Sequence, residues 1–189
     1  MIKKITAPLT HETVDALKAG DMVDITGVVY AARDEAHKKI MDLIINGKPL
    51  PFELENQVIY YAGPCPAPEG KVLGSAGPTT SGRMDKYAPA MIKAGLKGMI
   101  GKGQRNDEVI QAMIRFGAVY FGAIGGAGAL ISKCIKSQEL IAFEELGTEA
   151  VRKLEVVNFP TIVVIDRFGG NLYETGRRQY CTEPLTGNR

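Results

Sequence analysis

Short β-branched, apolar runs alternate with helical stretches along this chain, and that alternation constrains its fold more than any other feature. Residues 22–30 (MVDITGVVY) have the composition of a strand, and residues 33–45 carry apolar side chains at helical spacing. Predicted strands and helices continue to alternate as far as residue 166. We therefore predict an α/β fold in one domain, residues 1–189, with a mixed sheet rather than a purely parallel one.

The other predicted elements rest on the same two patterns. Strands or strand pairs are predicted at residues 57–62, 71–76, 99–100, 118–124 and 155–166. Helices are predicted at residues 84–95, where Pro89 delays or kinks the start, and at residues 107–116 after the N-cap Asn106. Three connecting or terminal segments are predicted: an N-terminal arm with a short helix or turn at residues 1–21, a hairpin turn at 168–171 and a frayed tail at 178–189.

Composition argues against several function classes. The formal net charge is +2, with 23 basic and 21 acidic residues intermixed, so no nucleic-acid surface is predicted. No apolar run approaches the length of a membrane span, and the first residues lack the apolar core of a signal peptide. We expect a cytoplasmic protein with no membrane partner. Since the chain has only two histidines, a histidine-built metal site is not expected.

Three basic residues stand where a predicted strand gives way to a helix, namely Arg33, Arg83 and Lys102. A cation in the first turn of an exposed helix is unfavourable by ~0.3–1 kcal/mol, because it opposes the helix dipole. A bound anion would compensate, since helix N-termini attract anions and α/β sheets bind ligands at strand ends that feed helices. The three positions together predict a shared anion pocket.

Local ion pairs are the alternative explanation for each arginine taken alone. Arg33 is followed directly by Asp34 and Glu35, and Arg83 is followed two residues later by Asp85. These acids could neutralise both guanidinium groups without any ligand.

The segment GPTTSGR, residues 77–83, adds hydroxyl groups to the same region. Its glycines admit backbone conformations closed to other residues, and they flank Thr79, Thr80 and Ser81. One hydroxyl, of Ser81 or Thr80, is expected to cap the following helix. The other two remain free to bind a carboxylate or a reacting hydroxyl, and Arg83 could grip a carboxylate with two nitrogens.

The glycine-rich segment GAIGGAG, residues 122–128, suggests a dinucleotide site as a further alternative. Its spacing is not G-x-G-x-x-G, and no acidic partner follows about 20 residues on, as that motif requires. Close helix–sheet packing or a turn is the favoured interpretation of these glycines.

Six stretches spread over nearly the whole chain match one protein family. They are AARDEAHKK, YYAGP, GPTTSGRMDKYAP, MIGKGQRND, AVYFGAIGGAGAL and VVNFPTIVVID, of which GPTTSGRMD is the most diagnostic. On these motifs the chain resembles the β subunit, or C-terminal domain, of the class I iron–sulfur fumarate hydratases and L-tartrate dehydratases. The resemblance implies a swivelling β/β/α domain.

The resemblance also implies a chemistry, the reversible addition of water across a double bond conjugated to a carboxylate. In the family, a [4Fe–4S] cluster has one iron without a cysteine ligand, which acts as a Lewis acid on the substrate. The three ligating cysteines belong to the other subunit or to the N-terminal domain, so a cluster-bearing α subunit is the expected partner. Cys65, Cys134 and Cys181 lie outside the family's ligand motifs, so no metal ligand is predicted here and their roles are structural or incidental.

By motif match, the residues expected to bind a small dicarboxylate substrate are Arg33, Thr79, Thr80, Arg83 and Lys102. Thr79 matches the family's candidate proton-transfer residue, although a threonine hydroxyl is a weak base unless it is activated. A carboxylate of the partner subunit could activate it. His37 and Asp85 are expected to cap, to form ion pairs or to support the site from behind.

The resemblance favours fumarate and (S)-malate as substrates. Tartrate is the nearest alternative, since the same pocket could hold a dihydroxy acid and selectivity rests partly on the other subunit. A non-catalytic anion-binding or assembly domain is a hypothesis of a different class, and a nucleotide-binding enzyme that uses residues 122–128 is the third.

Overall fold

The computed structural model describes residues 1–180, which form a seven-stranded mixed sheet with helices against it. The strands are β1 (Lys3–Ala7), β2 (Met22–Ala31), β3 (Val58–Tyr60), β4 (Gly98–Gly101), β5 (Val119–Gly122), β6 (Ile135–Ala142) and β7 (Val151–Ile165). Strands β1 to β5 are parallel to one another, and β7 is antiparallel to its three partners, β2, β5 and β6. The predicted α/β class and mixed sheet are confirmed.

Six helices connect or follow the strands within the described residues. They are α1 (His11–Ala16), α2 (Asp34–Ile45), α3 (Ala88–Lys93), α4 (Asp107–Phe116), α5 (Gly128–Ile131) and α6 (Leu172–Tyr180). Short 3₁₀ helices lie at Ser81–Met84, Ser132–Cys134 and Glu144–Glu149. None of these helices has the length and apolar character needed to cross a membrane.

The sheet closes on itself because β7 is paired along both of its edges. One edge pairs with β2, while the other pairs first with β6 and then with β5. Since β2, β3, β4 and β5 are also consecutive neighbours, the pairing runs in a circuit. Two apolar clusters result, one with Tyr60 and Phe159 on one face of the strands, and one where α2, α3 and α4 cover the other face.

Several predicted helix boundaries are confirmed. Helix α3 begins only at Ala88, with Pro89 in its first turn, where proline is tolerated because the N–H needs no partner there. Helix α4 begins after Asn106, whose side chain accepts a hydrogen bond from the N–H of Val109 at 2.9 Å.

The terminal predictions need correction. Residues 1–21 contain the predicted short helix, but they also add β1 to the sheet beside β2, with Ala7 buried. Lys3 anchors this strand through an ion pair with Asp21 at 2.7 Å. At the other end, α6 extends to Tyr180, so residues 178–180 are helical rather than frayed. The rest of the predicted tail, including Cys181, lies outside the described residues.

The predicted strand at residues 71–76 is wrong. Leu73 and Ala76 are buried, which produced the strand-like pattern, but the backbone folds back on the preceding loop. Gly74 and Ser75 both form backbone hydrogen bonds with Cys65, at 3.0 and 2.9 Å. The predicted strand pair at 155–166 is one long strand, β7, in which Asn158 adopts a positive φ of 51°.

The predicted hairpin turn at residues 168–171 is a turn that leads into a helix. The Asp166 carboxylate accepts hydrogen bonds from the N–H groups of Phe168 and Gly170, at 2.9 and 3.0 Å. The chain then enters α6 instead of a second strand.

Candidate anion-binding site

The carboxyl ends of three parallel strands, β2, β3 and β4, hold Arg33, Thr79 and Lys102 of the predicted site. Arg33 follows β2 as the N-cap residue of α2. The N–H of Thr79 donates to the carbonyl of Tyr61 at 2.6 Å, just after β3. Lys102, after β4, donates its N–H to the Thr79 carbonyl at 3.3 Å and accepts from the Ser81 N–H at 2.8 Å. The threonine segment is therefore bonded to the ends of β3 and β4 together.

Arg33 and Arg83 meet at one carboxylate, that of Asp34. Arg33 donates from Nη2 to Asp34 Oδ2 at 3.2 Å, and Arg83 Nε lies 2.7 Å from Asp34 Oδ1. Arg33 Nη2 also lies 3.5 Å from Glu149 Oε1. Of the ion pairs weighed from sequence, Arg33 with Asp34 is confirmed, whereas Arg83 pairs with Asp34 and not with Asp85. Sequence reasoning missed that Asp34 joins the two arginines, and the adjacent Arg-Asp pair was its only signal.

Lys102 is exposed and forms no ion pair within residues 1–180. Its side chain lies against Gly125, where an added Cβ would stand 3.7 Å from the lysine Nζ. An added Cβ on Gly128 would stand 2.7 Å from the backbone nitrogen of Gly77. Gly128 therefore packs closely against the segment that carries Thr79, and not against the sheet as expected. The alternative expectation, a turn, is confirmed at Gly126, whose φ is 82°.

The threonine hydroxyls are not used for capping. The 3₁₀ helix Ser81–Met84 has no side-chain hydrogen bond at its N-cap, so the predicted cap by Thr80 or Ser81 is wrong. Ser81 is buried, and its hydroxyl lies 2.9 Å from the Tyr120 hydroxyl instead. Thr79 is half-buried and Thr80 is exposed. Neither threonine hydroxyl therefore has a capping task in the 3₁₀ helix.

A buried ion pair lies under the site. Arg105 donates from Nε to Asp85 Oδ1 at 2.6 Å, and its side chain is fully buried. Asp85 Oδ2 accepts the N–H of Asn106 at 2.7 Å. The guanidinium carbon lies 5.4 Å from the Tyr61 ring centre and 5.1 Å from that of Tyr120. The ion pair expected of Asp85 is present, but its partner was not foreseen, because Arg105 is 20 residues away.

His37 supports Arg33 from behind. It is completely buried, and its Nδ1 lies 2.8 Å from the carbonyl oxygen of Arg33. Burial lowers the pKa of His37 to about 4, and the nearby Arg105 charge adds to the effect against the opposing hydrogen bond to Arg33. A neutral ring must carry its proton on Nδ1 to make this bond, so we assign that tautomer.

The neutral state of His37 makes stability depend on pH. Below pH 6.5 the unfolded chain binds a proton that the folded chain excludes, so stability falls as the pH drops from 6.5 towards 4, by up to about 3 kcal/mol. We expect the stability of His37→Asn to fall less over this pH range, because asparagine does not titrate. Its amide can still replace Nδ1 as the donor to Arg33. Urea unfolding at pH 7 and pH 4.5 measures the difference. His11→Asn, at an exposed position, is the control and should retain the wild-type fall; an equal fall in all three proteins would contradict the assignment.

The described cysteines do not fit an iron–sulfur cluster. Cys65 is exposed, and Cys134 is half-buried with its Sγ 3.6 Å from the carbonyl oxygen of Asn158. Burial raises the pKa of the Cys134 thiol, which disfavours the thiolate that iron needs. Residues 1–180 contain no group of three or more histidine, cysteine or acidic side chains placed to hold a metal.

A family model described as the fumarase C-terminus matches residues 2–176. The chain belongs to the fumarase C-terminal family. The resemblance found in the six sequence stretches is thereby confirmed.

Named relatives of this fumarase C-terminal chain fall into two length classes. Fumarate hydratase 2 of Leishmania major is 44% identical over 82% of the chain, and the aerobic class I fumarate hydratase of Escherichia coli K12 is 37% identical over 96%. The matches cover only 28% and 32% of those two proteins, so the chain spans about a third of their length. The provisionally named L(+)-tartrate dehydratase subunit beta of Methanocaldococcus jannaschii is 41% identical over 88% of both chains.

Proposed function

We propose that this chain is the β subunit of a hydro-lyase that interconverts fumarate and (S)-malate, and that it binds the substrate carboxylates at a site shared with an α subunit. The observation that carries the proposal is the convergence of Arg33 and Arg83 on Asp34, together with the backbone hydrogen bonds that join the segment of Thr79 and Arg83 to Lys102. The fumarate hydratases named above support the reaction class.

The charges favour an anionic ligand, because positive side chains outnumber negative ones by one. Arg33, Arg83 and Lys102 bring three positive charges, whereas Asp34 and Glu149 return two negative ones. Arg33 is engaged by both Asp34 and Glu149, whereas within residues 1–180 Arg83 forms an ion pair through Nε alone. The other N–H groups of Arg83 can therefore bind a carboxylate in the two-pronged geometry that arginine favours. In this proposal each arginine contacts substrate, and Lys102 adds a point charge.

We assign proton transfer to Thr79, with Thr80 as a further substrate contact. The Thr79 backbone is held on both sides, by its hydrogen bonds with Tyr61 and with Lys102, and the residue is half-buried. A threonine hydroxyl must be deprotonated by another group before it can act as a base. We propose a carboxylate of the α subunit for this step.

The [4Fe–4S] cluster is proposed to belong to the α subunit, because the described cysteines of this chain do not fit one. The two fumarate hydratases carry additional sequence amounting to about two thirds of their length. A relative that matches over 88% of both chains is named as a beta subunit, which supports a partner subunit for this chain. The swivelling β/β/α character of the domain is part of the same proposal.

Tartrate dehydration is the second candidate function. It is favoured by the Methanocaldococcus jannaschii relative, which has a similar length to this chain and carries that activity in its provisional name. The cationic residues would serve both substrates, since fumarate and tartrate are both four-carbon dicarboxylates.

An anaerobic assay with the cluster-bearing α subunit tests the proposal. We expect fumarate hydration, followed by loss of the double-bond absorbance, in the mixture of both chains and in neither chain alone. A mixture that dehydrates tartrate but ignores fumarate would establish the second candidate. Fumarate hydration by this chain alone would overturn the assignment of the cluster to a partner, and an assembled mixture inactive on both substrates would refute the hydro-lyase.

A further inference from the structure

Four buried polar side chains lie beneath the candidate site, and each belongs to a different segment that carries it. His37 stands four residues after Arg33 on α2, Asp85 two residues after Arg83, and Arg105 three residues after Lys102. Tyr61 follows β3, and its carbonyl holds Thr79. We call these four residues, His37, Tyr61, Asp85 and Arg105, the buried polar bridge.

The four side chains contact one another in sequence. Asp85 pairs with Arg105 at 2.6 Å, and the Arg105 guanidinium lies 5.4 Å from the Tyr61 ring centre. The Tyr61 ring meets His37 edge-on, with ring centres 5.2 Å apart. His37 then reaches the Arg33 carbonyl at 2.8 Å. Contacts therefore run without interruption from the segment of Arg83 to the backbone of Arg33.

Stability alone does not account for this arrangement. The exposed fraction of each of these residues is 7% or less, and a buried ion pair is often no more stable than apolar residues of similar volume. His37 Nε2, the Tyr61 hydroxyl and Arg105 Nη2 are buried without a protein hydrogen-bond partner in residues 1–180, which costs further stability. Buried polar networks are instead suited to fixing one arrangement of the segments that they join.

We propose that the buried polar bridge sets the spacing of Arg33, Arg83 and Lys102, and thereby selects the length of the dicarboxylate that binds. The three cations are carried by a helix start, a 3₁₀ helix and a strand end, which no single element holds in register. Binding groups must be held within about 0.5 Å to discriminate between similar ligands. The four bridge residues are positioning residues, and this inference rests on the proposed function.

His37→Phe is the most selective test, because it keeps an aromatic ring against Tyr61 and removes only the donor to Arg33. In the assembled enzyme we expect the KM for fumarate to rise about 10-fold with kcat changed less than about 2-fold, as for a lost binding interaction. Glutarate is one carbon longer than succinate. The preference for succinate, measured as the inhibition constant of glutarate divided by that of succinate, should fall at least about 3-fold. His37→Asn restores a donor near the Nδ1 position and should bring both quantities back towards wild type.

Thr161→Val is the matched control. Thr161 is also buried and donates its hydroxyl to a backbone carbonyl, that of Val23 at 3.0 Å, but it lies on β7 outside the bridge. We expect a lower unfolding midpoint with unchanged KM and unchanged inhibitor selectivity. If His37→Phe behaves like this control, the positioning role is refuted. Arg105→Lys, expected to act like His37→Phe, provides the test if His37→Phe does not fold.

The inference and the proposed function fail in different ways. An assembled wild-type mixture that hydrates no fumarate and dehydrates no tartrate contradicts the proposed function. Titration of the isolated chain with succinate and with glutarate, followed by NMR, still tests the bridge in that case. Equal selectivity in wild type and His37→Phe would then refute the bridge, and a loss of selectivity would support it without the reaction.

Discussion

Replacement of Asp85 by alanine is expected to lower the free energy of unfolding by about 3–5 kcal/mol, because it leaves a buried guanidinium without its counter-charge. The Arg105 side chain is fully buried and that of Asp85 is 10% exposed, so solvent cannot take over the lost interaction. Asp85 also accepts the N–H of Asn106, which caps α4. The loss therefore includes the start of a helix that covers the sheet.

Urea unfolding of the isolated chain measures this loss. Asp15→Ala is the matched control, since it breaks the ion pair between Asp15 and Arg167, in which the Asp15 side chain is 50% exposed. Exposed pairs contribute about 0–1 kcal/mol, and the control should lose no more than that. Adding Arg105→Leu to Asp85→Ala should recover part of the loss by removing the unpaired charge. Equal losses in Asp85→Ala and the control would show that the buried pair is not a major contributor.

The sequence predicted well those strands whose residues are mostly apolar and at least half-buried. Strands β2 and β5 are rich in β-branched or aromatic residues, and the sequence located both. Strand β6 was missed because most of its residues, IKSQELIA, are not buried and several are polar or charged. Among residues 1–180 its one strand partner is β7, so its stability comes from a partner that lies later in the chain.

The candidate site shows the same division. The positions of Arg33, Arg83 and Lys102 could be predicted because each directly follows a strand or a glycine-rich turn. Which charges pair could not be predicted, because Asp34 with Arg83 and Asp85 with Arg105 are 49 and 20 residues apart. Local patterns report which residues are buried or helical, whereas the partners of a charge depend on how strands align.

Arg83→Ala is expected to raise the KM of the assembled enzyme for fumarate about 100-fold, equivalent to roughly 3 kcal/mol, the loss typical of a removed charge partner in a desolvated site. The folded state should hardly change, because the Arg83 side chain is 54% exposed and its ion pair with Asp34 is a surface contact. Binding can therefore be measured in a protein whose stability is close to wild type.

Lys86→Ala separates a specific contact from general electrostatic attraction. Lys86 is also exposed, lies three residues after Arg83, and its Nζ stands 4.8 Å from the Tyr87 ring centre. Loss of this charge should change KM less than about 3-fold, and high salt should reduce that effect further. The KM of Arg83→Lys should lie between those of Arg83→Ala and Lys86→Ala, because lysine keeps the charge but loses the two-pronged geometry. If Arg83→Ala and Lys86→Ala change KM equally, Arg83 attracts the substrate without contacting it, and the carboxylate site must be sought nearer Arg33 and Lys102.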